Sequence, residues 1–188
     1  MTGSTDDSTS TLAMLAGEAL KNWEISGLVT LLADSNRIAR MAAARELQLR
    51  GGAEVFSEVV KLSISKDVHL REMCAFILGQ LGTPEKPFRI KALPILISLI
   101  EDAAAVVRAA AAAAFGHLCS EEMPEEVEKL LILAASDSSS SVRACVAFSL
   151  GSASINQEVE TILTKLSNDA SDEVREYAQL GLELIRME

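Results

Sequence analysis

The stretch Ala105-Val106-Val107-Arg108-Ala109-Ala110-Ala111-Ala112-Ala113-Ala114-Phe115 returns 35 residues later as Ser140-Ser141-Val142-Arg143-Ala144-Cys145-Val146-Ala147-Phe148-Ser149-Leu150. Both place apolar residues three, four and seven positions after an arginine, the spacing of one face of an α-helix. The same frame fits at Arg40, Arg71 and Arg175, so five arginines recur at intervals of 31, 37, 35 and 32 residues. Seven positions after them stand Leu47, Leu78, Phe115, Leu150 and Leu182. Three after stand Ala43, Cys74, Ala111, Val146 and Ala178, and four after stand Ala44, Ala75, Ala112, Ala147 and the exception Gln179.

Before each arginine a second amphipathic segment is written. Leu28, Val59, Leu96, Leu131 and Leu163 lie twelve positions upstream, and Leu31, Leu62, Leu99, Ala134 and Leu166 nine upstream. Six upstream stand Asp34, Asp102, Asp137 and Asp169, with Ser65 breaking the pattern in the second unit. Polar turns such as Ser138-Ser139-Ser140-Ser141 and Ala170-Ser171-Asp172 separate the two segments and supply side chains able to cap the second helix. Each unit therefore reads helix, turn, helix. The outline L-x-x-L-x-x-D-x-x-x-x-V-R-x-x-A-A-x-x-L resembles the HEAT repeat from about Gly27 to Leu182. A hairpin of this size cannot bury its apolar face alone, so the resemblance implies an all-α fold, a right-handed α-α superhelix (HEAT-repeat solenoid) of about five hairpins. Thr11 to Asn22 reads as an additional N-terminal helix covering the first unit. The expected organisation is a disordered tail over residues 1–10 and the solenoid over 11–188.

Composition agrees with long helices. The chain has 188 residues, 49% hydrophobic and 4% aromatic, with only 10 Gly and 4 Pro. It carries 17 Lys+Arg against 27 Asp+Glu, a net charge of −10, and no basic run, which argues against nucleic-acid binding. The imbalance is confined to one half: residues 1–100 hold 11 basic and 11 acidic side chains, and the rest hold 6 and 16. That acidic half serves solubility, speeds encounter with a basic partner, or both. Met1 to Ser10 is polar and acidic, unlike a secretory signal, and Arg108 interrupts the longest Ala- and Val-rich run, so no membrane span is expected. Three widely spaced cysteines, Cys74, Cys119 and Cys145, suit a reducing, cytoplasmic setting.

Chemistry finds little purchase in the sequence. The regular polar residues, Asp34, Arg40, Arg71, Asp102, Arg108, Asp137, Arg143, Asp169 and Arg175, recur once per unit, as a scaffold element does and a catalytic site does not. By the HEAT resemblance they form a structural Asp–Arg ladder between neighbouring units. His69 and His117 are 48 residues apart and neither is followed by Glu, so no metal ligand set is expected. Glu121 and Glu122 are expected to raise the Cys119 thiol pKa and keep it from acting as a nucleophile. Gly51-Gly52 and Gly79-Gln80-Leu81-Gly82 lack the context of a phosphate cradle and read as left-handed helix ends. The expectation is a protein that is not an enzyme, with no catalytic residues, no cofactor and no metal.

What remains is surface. Positions one, two, five and nine after each arginine point away from the core stripe and are expected to line the concave side. Arg45, Glu72, Met73, Phe76, His117, Phe148, Tyr177 and Leu180 are the candidate partner-binding residues on that side. So apolar a face suits a groove that closes on a protein, and packing between curved repeats would also account for part of it. Glu121, Glu122, Glu125 and Glu126 open the fourth unit, where they complement a helix dipole, contact a partner's basic side chains, or do both.

One stretch is more particular. Leu31-Leu32-Ala33-Asp34, Ala44-Arg45-Glu46-Leu47-Gln48-Leu49-Arg50-Gly51-Gly52 and Arg71-Glu72-Met73-Cys74-Ala75-Phe76-Ile77-Leu78-Gly79-Gln80-Leu81 resemble the opening repeats of the HEAT-repeat immunity proteins encoded beside enterobacterial Rhs toxins. The resemblance implies a bacterial cytoplasmic protein that binds and neutralises a cognate polymorphic toxin, and a basic toxin domain would match the acidic half. A general adaptor for an endogenous protein or peptide is the alternative; a phycobilin-lyase-like protein is a weaker one. The sequence leaves the oligomeric state open. Arg108→Ala is expected to cost about 3–5 kcal/mol by leaving a buried carboxylate unpaired. Thermal melts should show it far more damaging than Lys→Ala changes on the surface.

Overall fold

The computed structural model describes Leu15, residues 17–152 and residues 156–187. The expected tail over 1–10 lies outside the described residues, as does much of the helix expected over Thr11 to Asn22. Of that segment, residues 17–20 are helical and Leu20 is buried in the core. Ten α-helices with defined ends follow among the described residues. They are α1 (Ile25–Leu31), α2 (Arg37–Arg50), α3 (Gly52–Lys61), α4 (Val68–Gln80), α5 (Arg89–Leu99), α6 (Ala105–Leu118), α7 (Glu125–Ala134), α8 (Ser140–Leu150), α9 (Gln157–Leu166) and α10 (Asp172–Met187). A 3-10 turn, Leu62–Ile64, extends α3. Paired in order they give five hairpins stacked in an all-α solenoid.

The stripes found by periodicity are the core. All five residues twelve positions upstream of the arginines are fully buried, as are all five residues three positions downstream. Nine upstream the match is partial. Leu31 and Ala134 are half-buried, and their neighbours Leu32 and Ala135 take the core position. Gln179, the break in the downstream stripe, is exposed.

Close stacking belongs to the second helices. α4 packs along α6, α6 along α8 and α8 along α10, whereas the first helices of successive units touch little beyond α1 and α3. Tighter spacing on one side of a stack bends it, so the second helices form the concave side. Glycine makes the approach possible. A Cβ on Gly79 would stand 2.8 Å from Ala114 Cα, one on Gly116 3.0 Å from Ser149 Cα, and one on Gly151 2.9 Å from Gly181 Cα. Each of these glycines lies eight residues after its arginine and meets the residue six after the next one. Gly79 is thus a packing residue inside α4 and not the left-handed helix end expected of it. Gly51, Gly52 and Gly82 do hold φ of 58°, 86° and 71°, as expected. In the first unit the equivalent position is Gln48, whose amide donates to the Phe76 carbonyl at 2.7 Å.

The ladder crosses three of the four seams. Arg71 grips Asp102 with Nε and Nη2 at 2.6 and 2.9 Å, Arg108 grips Asp137 at 2.7 and 2.9 Å, and Arg143 grips Asp169 at 2.7 and 2.8 Å. The remaining Nη1 of each arginine donates to two carbonyls of its own inter-helix turn, for Arg108 those of Asp102 and Ala103. Asp34, Arg40 and Arg175, expected in the ladder, stand outside these pairs. No earlier arginine reaches Asp34, whose carboxylate accepts the Asn36 N–H. Arg40 donates only to the carbonyls of Asp34 and Ser35 in its own turn, with Nε unpartnered among the described residues, and Arg175 pairs with Asp172 of its own helix. Nor do the turn serines cap: Ser139 makes no side-chain cap bond. Asp137 takes the Ser139 N–H itself at 2.8 Å, as Asp102 takes that of Ala104 and Asp169 that of Ser171.

The arginine side chain first, and the backbone N–H further, hold all three aspartates below the ordinary carboxylate range, Asp169 at about 2. A depressed native pKa adds stability that is complete above the unfolded value, about 3.9, and is lost as pH falls through the native one. The urea midpoint should therefore drop between about pH 4 and pH 2. Asp169→Asn should begin less stable and lose less across that window.

Candidate functional site

Three aromatic rings from consecutive second helices line up on the concave side. His117 of α6 lies 5.1 Å from Phe148 of α8, ring centre to ring centre, and Phe148 lies 6.0 Å from Tyr177 of α10 in an edge-on arrangement. The repeat places them. Phe148 stands five positions after its arginine, and Tyr177 and His117 stand two and nine after theirs, so the row runs obliquely across the helices. Tyr177 is 37% exposed, and beside it Leu180 and Leu184 are 49% and 48% exposed. Large apolar side chains this open, in a row with half-buried aromatics, make a surface suited to contact.

At the His117 end the row opens into a depression of about 310 Å³, lined by Gln80, Thr83, Lys86, Gly116, His117, Ser120, Phe148 and Ser152. That is enough for one partner side chain and near the lower limit for a small-molecule site. Lys86, in the left-handed region at φ 45°, donates from Nζ to the His117 carbonyl at 2.5 Å and to Ser120 Oγ at 2.8 Å. Burial, aided by Lys86, lowers the His117 pKa, so the ring is neutral at pH 7.

The other candidates divide. Phe76 and Glu72 are half-buried on α4, Glu72 3.4 Å from the His69 ring, and Arg45 is exposed on α2. Met73 is 3% exposed and belongs to the core, as do Ala42, Ala109 and Ala144, which the same spacing would put on the surface. The close approach of neighbouring second helices covers those positions. Glu121, Glu122, Glu125 and Glu126 are exposed but sit elsewhere. The last two head α7, a first helix, and the Glu122 carbonyl accepts from Arg89 of α5, so this acidic segment borders the outer layer. Glu125 pairs with Lys129 at 2.5 Å and Glu128 accepts from Asn156 at 2.8 Å; with Glu126 they load the first turn of α7, where the helix dipole favours them.

The thiols are quiet. Burial lifts Cys74 to about 12 and, with help from Glu173, Cys145 to about 11. Cys119 is raised too, by burial and not by the neighbouring glutamates to which the sequence pointed. Among the described residues no three His, Cys, Asp or Glu side chains are grouped to hold a metal ion, and no helix is long and apolar enough to cross a membrane.

A family model described as HEAT repeats matches residues 25–116 and 93–183. Protein YibA of Escherichia coli K12 is 31% identical over 163 residues, covering 84% of this chain and 56% of YibA, and YibA of strain O157:H7 matches equally. The chain thus spans little more than half the length of these curated relatives. The X-ray structure of E. coli YibA superposes with a TM-score of 0.81 at 26% identity, covering 92% of this chain and 62% of that one. The CpcE–CpcF complex of phycocyanin lyase from Nostoc (TM-score 0.68, 22% identity, 84% and 96% covered) shares the fold. So does a designed armadillo repeat protein in complex with the peptide (KR)4 (TM-score 0.60, 21% identity, 97% and 95% covered).

In the native protein at about pH 8, Cys74, Cys119 and Cys145 are expected to react with a disulfide reagent far more slowly than in denaturant, as followed by release of the coloured thiolate.

Proposed function

The chain belongs to the HEAT-repeat family, and on that footing we propose that it is a non-catalytic binding module whose concave side takes a protein partner. The row His117, Phe148, Tyr177 with the open Leu180 carries the reading. It is contiguous and partly bare to water, and it lies in the half of the chain that holds 16 acidic and 6 basic residues. A partner with apolar or aromatic anchors inside a basic surface complements both properties, the anchors supplying affinity and the charge speeding encounter. That a designed protein of this fold holds a basic peptide, (KR)4, supports the compatibility of solenoid and partner.

The likeness of the opening units to Rhs-linked immunity proteins takes the proposal one step further: the partner is a polymorphic toxin with a basic surface, neutralised by stoichiometric occlusion in the bacterial cytoplasm. Co-expression with the toxin encoded beside its gene should restore growth. Tyr177→Ala combined with Leu180→Asp should abolish rescue while circular dichroism and melting remain native-like. Rescue that persists in the double variant moves the interface off this row. Failure of the native protein to rescue removes the toxin from the proposal and favours an adaptor for an endogenous protein.

A further inference from the structure

The four seams of the stack are not closed alike. The second, third and fourth each carry a two-bond grip, Arg71 on Asp102, Arg108 on Asp137 and Arg143 on Asp169. At each a glycine meets a small residue, Gly79 against Ala114, Gly116 against Ser149 and Gly151 against Gly181. The first seam has neither device. Ser65 stands where the others have aspartate, and the positions of the glycine and its small partner hold Gln48 and Ile77. Bulk at both positions keeps the helices apart, and α2 runs close to α4 over much less of its length than α4 does to α6. Contact between α1 and α3 persists on the outer side, so the loose side of this seam is the concave one. Among the described residues two hydrogen bonds span it, from the Gln48 amide to the Phe76 carbonyl at 2.7 Å and from the Gly82 N–H to the Gln48 carbonyl at 3.4 Å.

The same seam buries a charge that it does not pair. Arg40 is only 7% exposed, its Nη1 donates to the Asp34 and Ser35 carbonyls of its own turn, and its Nε is buried with no acceptor among the described residues. Water would serve that donor as soon as the seam parted, so the closed state alone carries the desolvation cost. The backbone at this place is permissive. One residue, Gly51, separates α2 from α3, and Gly51 and Gly52 hold φ of 58° and 86°. Arg50 ties the segment before α1 to the same hairpin, donating to the carbonyls of Leu20, Lys21 and Trp23. We propose that the first seam is a joint, on which the first hairpin and residues 17–24 part from the stack as one body, pivoting at Gly51-Gly52, while the other four hairpins stay closed. Arg45 and the 82% exposed Leu49 travel with it. The concave side thus has one moving wall, and the row of His117, Phe148 and Tyr177 stays on the rigid part.

Amide hydrogen exchange of the intact protein, read peptide by peptide in a mass spectrometer, tests this. Both ends of a stack fray, so the fifth hairpin serves as the internal control. Amides of residues 25–50 should exchange together, at least about tenfold faster than those of 157–182, and those of 105–150 should be the slowest. Ser65→Asp supplies the missing carboxylate and should slow exchange in 25–50 by about tenfold while leaving 157–182 unchanged. On an Arg40→Met background the same change should slow nothing. Equal protection of the two ends, separate exchange of α1 and α2, a Ser65→Asp variant that exchanges like the native protein, or a gain that survives Arg40→Met would each overturn the joint.

Discussion

A guanidinium presents five N–H donors in one plane, and at the seam between two helical hairpins most of them are cut off from water. At three of the four seams four of the five meet acceptors, whereas Arg40 at the first seam leaves Nε without one among the described residues. Satisfying them fixes several things together. The inter-helix turn must offer two carbonyls six and five residues before the arginine, and the next unit must offer a carboxylate at its own turn. That carboxylate must also take a backbone N–H two residues on, which secures its orientation. Turn conformation, helix start and stacking distance are thus set by one recurring contact, with the aliphatic stripes supplying the driving force beneath it.

The stripes and the ladder were legible because they repeat: three of the four aspartates and three of the five arginines do what their recurrence implied. The rest was hidden for definite reasons. Asp34 and Arg175 share the recurrence but cross no seam among the described residues, which recurrence alone does not signal. Ser65 was visible as a break, but not that Arg40 Nε would be buried without a partner among the described residues. Gly79, Gly116 and Gly151 recur eight residues after their arginines, a signal present in the sequence yet easily mistaken for punctuation at helix ends. The same close approach explains why Met73 is core while Phe76, three residues on, is partly open. A helical wheel assigns faces, but how far a neighbouring helix encroaches on a face depends on side chains some 35 residues away, as Gly79 and Ala114 show.

Charge and apolar surface are distributed over different layers. The glutamates that open the fourth unit border the first helices and are partly committed to Lys129, Asn156 and the dipole of α7. The aromatic row belongs to the second helices and is flanked by its own acidic residue, Glu173, whose charge is felt at Cys145. Under the proposed binding of a basic partner, long-range attraction and short-range grip would come from separate residues, with the outer glutamates bearing on the rate of encounter and the row on residence.

Each closed seam is directional: an arginine always reaches forward, and a glycine always receives a small residue from ahead. The third and fourth hairpins consequently present interchangeable leading and trailing edges. A duplicate of either, spliced next to its parent, would find the same grip on both flanks. The architecture thereby contains its own rule for elongation, a cassette whose copy number is free to drift while the handshake between copies stays constant.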